Sequence, residues 1–454
     1  MTPRKIPVAA VQTLAHDRSS FLTAWPRIVG LVDRAARSGS KLIVLPEGTV
    51  PGYVLGTEPV PVQQINQAMA DLSAVARQYA ATIIYGGAKI VSGRTLNAAV
   101  AIGPDGSELG YAAKQFLWHF DRRWFTPGDA LEPIDTPVGK LGLLVCADGR
   151  IPTIAATLVD RGAEILVMST AWVTSGRDPS QLENIQADFM ASVRARENAV
   201  PFVAANKAGV ELESVAYCGK SVLIDAHGNT VARGDERTEG LVSGELLLGE
   251  GAPARAAFHA PWPSLSELRP KARIAFTLAD LPPDVEHFSA LAQQADADVL
   301  IALGGFEGEL PIGLFDLAKG RADGVFECNG VRLASVGPAF RSPRALTAAR
   351  LGGIDLFVWH ADADDGWNVT FARTRAAELR AYVIVLDAAG GRSFAVDPDG
   401  AVVAGTFEDY RLASFAYDRS RSAATTVAPA TDVLEGLRNA EAIRARRPEG
   451  VAVV

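Results

Sequence analysis

Two hydrophobic periods alternate along the first 250 positions of this 454-residue chain. Short apolar runs such as "IPVAAVQT", "KLIVLPEG", "ATIIYGGAKI", "EILVMST" and "PFVAANKAG" have the composition of strands, and the stretches between them are longer and polar on one side. In "FLTAWPRIVGLVDRAARSG", Ile28, Leu31, Val32 and Ala35 share one helical face and Gly39 marks the stop. "QINQAMADLSAVARQYA", "TIAATLVDRGA" and "QADFMASVRARENA" predict further helices. "TLNAAVAIGPDGSELGYAAK" predicts a hairpin turning at Pro104, Asp105 and Gly106, and "SVLIDAHGNTVARG" predicts another of the same build. Helices between most strand pairs, with hairpins adding antiparallel neighbours, predict an α/β protein around a central sheet.

The periodicity fades over residues 251–270, where proline, alanine and glycine gather. A linker is expected there, between a first domain at 1–250 and a second at 271–454. The second part repeats the first in shortened form. "NGVRLASVGPAFRSPRALTAARLGGIDLFVWHA" lines up with "VGKLGLLVCADGRIPTIAATLVDRGAEILVMSTA", and "RTRAAELRAYVIVLDAAG" answers "SVRARENAVPFVAANKAG". The opening strand, helix and strand recur in "KARIAFTLADLPPDVEHFSALAQQADADVLIALGG", and "SFAVDPDGAVVAG" repeats the second hairpin. Correspondences in one order predict an internal duplication. In that alignment Gly305 stands opposite Glu47 and Gly337 opposite Cys146, while Lys114 has no counterpart. Chemistry built on those three residues is expected in the first half alone, leaving the second half a structural or lid-forming role.

Composition narrows the function. Hydrophobic residues at 48% and charged residues at 21% make a globular balance. A net charge of -8, with no basic run interleaved by aromatics, argues against nucleic acid or an anionic membrane as partner. No apolar stretch approaches the ~18 residues of a membrane span, and the opening apolar run, broken at Gln12 and Thr13, reads as a strand rather than a secretory signal. The three cysteines are odd in number and far apart, and the six histidines form neither HxH nor HExxH. The glycine-rich stretches lack GxGxxG and the lysine-containing phosphate loop. The expectation is a cytoplasmic protein that uses no metal and no cofactor.

Candidate chemistry sits at strand ends. "KLGLLVCADGRIP" runs from a buried strand into a turn, with Cys146 at the point where open α/β proteins place ligands. Glu47 follows "LIVLP", and Lys114 follows "LGYAA". Taken singly, each has an ordinary explanation: a packed thiol, or a charge returning to solvent. Together they are the types needed for thiolate addition to an electrophilic carbon: nucleophile, proton carrier and oxyanion partner.

"LIVLPEG", "GYAAKQFLW" and "LGLLVCADGRIPTIAATLVDRGAEIL" resemble the three signature regions of the nitrilase, or carbon-nitrogen hydrolase, superfamily. The resemblance covers about residues 5–245 and implies a catalytic Glu47, Lys114 and Cys146 on a four-layer αββα sandwich. The second half resembles the same fold with its catalytic positions lost, which implies a pseudo-dimer within one chain. Many members of the superfamily carry a second glutamate before an aromatic pair and a Pro-Gly turn. In "HFDRRWFTPGD" that place falls to Asp121, one methylene shorter, so either the loop comes closer or a water bridges. Nitrilases typically continue Cys-Trp-Glu, whereas this chain has Cys146, Ala147 and Asp148. "CADGRIP" resembles the amide- and carbamoyl-cleaving branches through Asp148, Arg150 and Pro152.

Asp148 capping the following helix, with Arg150 paired to it, is expected to orient Cys146. The loop aromatics Tyr53, Phe116, Trp118, Trp124 and Trp172 are candidate walls of a substrate pocket, with small satellite cores as the alternative. Arg177 is a candidate partner for a substrate carboxylate, or a surface residue beside Asp178. The expected activity is hydrolysis of a carboxamide or N-carbamoyl substrate through a cysteine thioester. Nitrile hydrolysis, acyl transfer and a non-catalytic interaction role stay open, as does further homo-oligomerisation beside the intramolecular domain pairing.

Overall fold

The computed structural model describes residues 3–174, 180–249, 251, 253, 255–256, 258, 268–277, 290, 293–302, 313–316, 324–361, 365–387, 392–407 and 412–446. Arg177, Gly305 and most of the expected linker lie outside these residues. The chain divides into two units, one of residues 1–254 with 428–431 and 435–454, the other of residues 255–427 with 432–434.

Unit 1 runs in the order β1 (Arg4–Leu14), α1 (Phe21–Arg37), β2 (Leu42–Val44), α2 (Val62–Tyr79), β3 (Thr82–Val91), β4 (Arg94–Ile102), β5 (Glu108–Ala113), β6 (Ile134–Thr136) and β7 (Gly139–Val145). It continues through α3 (Pro152–Asp160), β8 (Ile165–Ser169), α4 (Ala191–Asn198), β9 (Phe202–Ala205), β10 (Lys207–Glu211), β11 (Val215–Cys218), β12 (Val222–Ile224), β13 (Thr230–Arg233) and β14 (Gly240–Leu248). One sheet has the order β11-β10-β1-β2-β3-β4-β5, with β14 antiparallel to β1; the other has the order β13-β12-β9-β8-β7-β6. The sheets face each other through β4 and β5 against β7, β2 against β8 and β1 against β9. The result is an α/β sandwich.

The strands are apolar on both sides because both sides are covered. Ala9, Val11, Ile43, Ile83 and Tyr85 pack with Ile28, Leu31, Val32 and Ala35 of α1 and with Leu72 and Ala76 of α2. The alternate positions Val8, Ala10, Leu42, Val44 and Ile84 are fully buried too, on the face that the pleat turns toward the other sheet. Helices α3 and α4 lie on β7, β8 and β9. Both expected hairpins form, as β4 with β5 and β12 with β13.

"PFVAANKAG", expected as one strand, is two. β9 belongs to the second sheet and β10 to the first, and the chain changes sheets at Asn206. The Asn206 amide donates to the Gly219 carbonyl at 2.6 Å and accepts from Trp172 N at 2.8 Å, replacing the ladder bonds lost at the crossing.

Unit 2 contains β15 (Lys271–Thr277), β16 (Val299–Ala302), β17 (Gly313–Asp316), β18 (Gly324–Cys328), β19 (Val331–Val336), α5 (Ala345–Leu351), β20 (Leu356–Ala361) and α6 (Asn368–Leu379). β21 (Tyr382–Asp387), β22 (Phe394–Val396), β23 (Val402–Gly405), β24 (Leu412–Asp418) and α7 (Arg419–Ala423) follow. They form sheets of order β17-β16-β15-β24 and β18-β19-β20-β21-β22-β23.

The last helix, α8 (Val433–Ala445), departs from the expected boundary, because from Glu435 onward it groups with unit 1. Its buried Leu437 and Ala440 need apolar cover. Phe116 and Ile151 of unit 1 lie against Gly436, and Thr153 Oγ1 donates to Glu441 Oε1 at 2.7 Å.

Candidate active site

Three strand ends build the site. Glu47 lies just past β2, Lys114 follows β5 and Cys146 follows β7, so the facing of the two sheets brings them toward one rim. Glu47 N donates to the carbonyl of Thr170, at the end of β8, which ties the first sheet to the second. Gly86 of β3 makes room for this loop, since a Cβ there would lie 2.4 Å from the Pro46 oxygen and 2.5 Å from Glu47 Cα.

Glu47, Lys114 and Asp121 have no exposed surface. Lys114 Nζ lies 2.7 Å from Glu47 Oε1 and 2.7 Å from Asp121 Oδ2. Asp121 therefore reaches the ammonium directly, and of the two ways to accommodate the shorter side chain it takes the closer approach. The loop is drawn in by Asp121 itself, whose Oδ2 accepts Trp118 N and whose Oδ1 accepts the Tyr53 hydroxyl, each at 2.9 Å. Glu47 Oε1 also accepts Asn97 Nδ2 at 2.6 Å, while its Oε2 is buried without a hydrogen-bond partner among the described residues. One carboxylate oxygen is pinned and the other is free.

Burial, with the Glu47 charge adding to it and Lys114 opposing, pushes the Cys146 thiol up to about 12. The thiol is protonated at rest and needs a base. Burial alone would lower Lys114, but the charges of Asp121 and Glu47 hold it well above its ordinary value. The site thus keeps a permanent cation between two carboxylates.

Cys146 has φ +46°, a left-handed conformation that costs a non-glycine residue of order 1 kcal/mol or more. The turn Cys146–Arg150 is braced on both sides. Asp148 Oδ2 accepts Val145 N at 3.0 Å, and its Oδ1 accepts Gln115 N and Phe116 N at 3.0 and 2.8 Å. Asp148 therefore locks the turn at Cys146 to the segment after Lys114, instead of capping the helix that follows. Arg150 stacks on the Trp118 ring at 4.9 Å. The buried Arg194 donates to the carbonyl of Gly149 and pairs with Glu197 at 2.6 Å.

Of the expected pocket walls, Tyr53 is buried with its hydroxyl on Asp121. Phe116 is buried against Gly436 of α8. Trp124 packs with Leu55, Ala88, Leu117 and Phe125. Trp172 is buried at the sheet crossing of Asn206. These four are engaged in packing or hydrogen bonds, and Trp118 is partly exposed. Asn97, Arg194 and Glu211 were missed. Asn97 did carry a signal, as a lone amide inside the apolar run "LNAAVAI". Among the described residues no group of three His, Cys, Asp or Glu side chains is placed to hold a metal ion.

The described site falls within a stretch that known proteins share. The chain is 29% identical over 226 residues to a probable nitrilase of Schizosaccharomyces pombe, a span of 48% of this chain and 80% of that protein. It is 29% identical over 192 residues to an (R)-stereoselective amidase of a Pseudomonas species, covering 42% of this chain and 67% of the amidase. A mouse omega-amidase is 29% identical over 225 residues, covering 47% of this chain and 79% of that enzyme. The sequence model of the carbon-nitrogen hydrolase family matches residues 7–256, more than half of the chain and all of the segment that carries Glu47, Lys114, Asp121 and Cys146, and the chain belongs to that family.

Proposed function

We propose that unit 1 hydrolyses a linear carboxamide or N-carbamoyl substrate through an acyl-thioester on Cys146, with Glu47 as proton carrier and Lys114 as oxyanion partner. The observation that carries this reading is the asymmetry of Glu47, whose Oε1 is held by Asn97 and Lys114 while Oε2 has no hydrogen-bond partner among the described residues. Oε2 takes the thiol proton as Sγ bonds to the substrate carbonyl carbon. An ammonium has three donors, and Glu47 and Asp121 engage two of the Lys114 protons, which leaves one for the developing oxyanion. The proton on Glu47 passes to the leaving nitrogen as the carbon-nitrogen bond breaks. Water then enters, gives a proton to Glu47 and its oxygen to the thioester, and the departing sulfur recovers that proton. Each transfer moves a proton between Cys146, Glu47 and the reactants, so the buried site never gains or loses net charge except through the substrate. Amidases among the relatives, and the Cys-Ala-Asp sequence after β7, favour amide over nitrile substrates.

We further read unit 2 as a decayed copy of the same fold. Strand pairings in its larger sheet run antiparallel, parallel, parallel, antiparallel, antiparallel, as they do from β6 to β13. Arg375 donates to the Phe340 carbonyl and pairs with Glu378, as Arg194 does with Gly149 and Glu197. Only residues 317–323 separate β17 from β18, where residues 92–133 separate β3 from β6, so the long segment that carries Lys114 in unit 1 has no counterpart of its length. Gly337 follows β19 as Cys146 follows β7.

Intact-protein mass spectrometry after brief exposure to pooled amides, carbamoyl amino acids and nitriles, with released ammonia measured in parallel, tests both readings. One acyl adduct per chain, on Cys146 and absent from Cys146→Ala, is the expected result. An adduct elsewhere overturns the assignment of the nucleophile, and turnover of nitriles alone overturns the substrate class.

A further inference from the structure

Beyond the residues that touch the reacting atoms, unit 1 holds a second buried ion pair. Lys207 and Glu211, four residues apart on β10, are 0% and 1% exposed and 3.1 Å apart. A buried pair of this kind is weak evidence for stability, since desolvation offsets much of the attraction. Its hydrogen bonds show where its constraint is applied. Glu211 Oε2 accepts the Tyr217 hydroxyl at 2.8 Å as well as Lys207. Glu211 Oε1 accepts the backbone N-H groups of Tyr53 and Val54, both at 3.0 Å. Those residues lie in the loop that runs from Glu47 to α2. The loop doubles back sharply, because Gly48 has φ +57° and a Cβ there would stand 2.6 Å from Tyr53 Cα. Its middle is held by His16, whose Nε2 donates to the Thr49 carbonyl at 3.0 Å. From Tyr53 the line continues through its hydroxyl to Asp121 Oδ1 and through Asp121 Oδ2 to Lys114.

We infer that Glu211 is a positioning residue: it anchors the Tyr53 backbone so that the Tyr53 hydroxyl holds Asp121 against Lys114, fixing the lysine beside the Cys146 thiol. The inference rests on the reading of Cys146 as nucleophile. It also accounts for the short acid at position 121. A carboxylate one methylene shorter than glutamate has less freedom to seek the ammonium, and a hydroxyl supplied from the opposite side fixes the orientation in which it reaches 2.7 Å. Three of the four carboxylate contacts of Glu211, to Lys207, Tyr217 and Tyr53, are to buried residues and the fourth, to Val54, is part-buried, so water is a poor substitute for it.

The test is the rate of Cys146 alkylation by iodoacetamide as a function of pH, read by peptide mass spectrometry on the full chain, with the partly exposed Cys328 as internal reference. Tyr53→Phe removes one hydroxyl and keeps the ring. Glu211→Gln removes the anchor charge, and Lys207→Met with Glu211→Gln replaces it if the single variant does not fold. Each is expected to slow alkylation at neutral pH about tenfold, the scale of one lost buried hydrogen bond. The midpoint of the pH profile should move up as the cation loosens its hold on the thiolate. Tyr53→Phe combined with the Glu211 change should be no slower than the slower single variant, because both act through one line. Unchanged rates and midpoints, or effects that multiply, overturn the network while leaving Cys146 as nucleophile. A parent chain whose Cys146 does not react at all overturns both readings.

Discussion

On the proposed reading, a thiol raised by burial and a half-free carboxylate give Glu47 most of the work. Its Oε2 has no hydrogen-bond partner among the described residues, and the thiol, pushed up to about 12, does not ionise unaided at neutral pH. Glu47→Gln preserves shape and the contact to Lys114 but removes the proton acceptor. Turnover of the best amide substrate should fall about 10²–10⁴-fold, with the thermal midpoint within a few degrees of the parent. Asn97→Ala tests the other oxygen. With Oε1 released from one of its two partners the carboxylate can rotate, and kcat should drop about tenfold while KM holds, since no substrate contact is removed. Equal losses in KM and none in kcat sink the idea that Asn97 aims the base. At this scale the positions of Glu47, Lys114 and Cys146 were legible in the sequence because each ends an apolar run and matches a family signature. Asn97 and Glu211 were not, because a polar residue inside a strand acquires a role only from what lies across the fold.

At the scale of elements, function depends on close backbone approaches. Gly86 lets β3 pass against the Glu47 loop, and Gly86→Ala places a methyl within 2.5 Å of Glu47 Cα. The expected cost is about 1–3 kcal/mol of unit 1 stability, with activity reduced further than the unfolded fraction explains. Urea titrations beside turnover at the same temperature separate the two effects. α8 makes an independent case. Leu437 is fully buried, and Leu437→Ala should destabilise unit 1 by about 2–5 kcal/mol, read as a lowered unfolding midpoint. An unchanged midpoint contradicts the grouping of α8 with that unit. Periodicity along the chain predicted the helices and hairpins well, since amphipathic faces and Pro-Asp-Gly turns are local. It did not predict the split between β9 and β10, because a short apolar run carries no mark of which sheet it joins, and the strand partner changes at Asn206.

For the molecule as a whole, pH acts on more than the Cys146 thiol. Burial first, then the Lys207 charge, lowers His16 to about 4, so it folds neutral and donates from Nε2 to the Thr49 carbonyl. The unfolded chain binds its proton near 6.5, above the folded value. In the window between about 4 and 6.5 the unfolded state carries more protons, and stability from His16 is complete above that window and lost as pH falls through it. The difference in thermal midpoint between the parent and His16→Gln should therefore shrink from pH 7 to pH 4.5; a difference that stays constant refutes the buried neutral imidazole. Among the described residues no helix is long and apolar enough to cross a membrane. By itself the sequence determined the class of fold, the family and the strand ends that carry Glu47, Lys114 and Cys146, because hydrophobic period and signature spacing are properties of neighbouring residues. Only the tertiary structure decided that Asp121 touches Lys114 directly, that one oxygen of Glu47 is free, that Tyr53 holds Asp121 in place and that α8 belongs with unit 1. Each of these depends on which groups from distant segments share one buried space and must satisfy one another there.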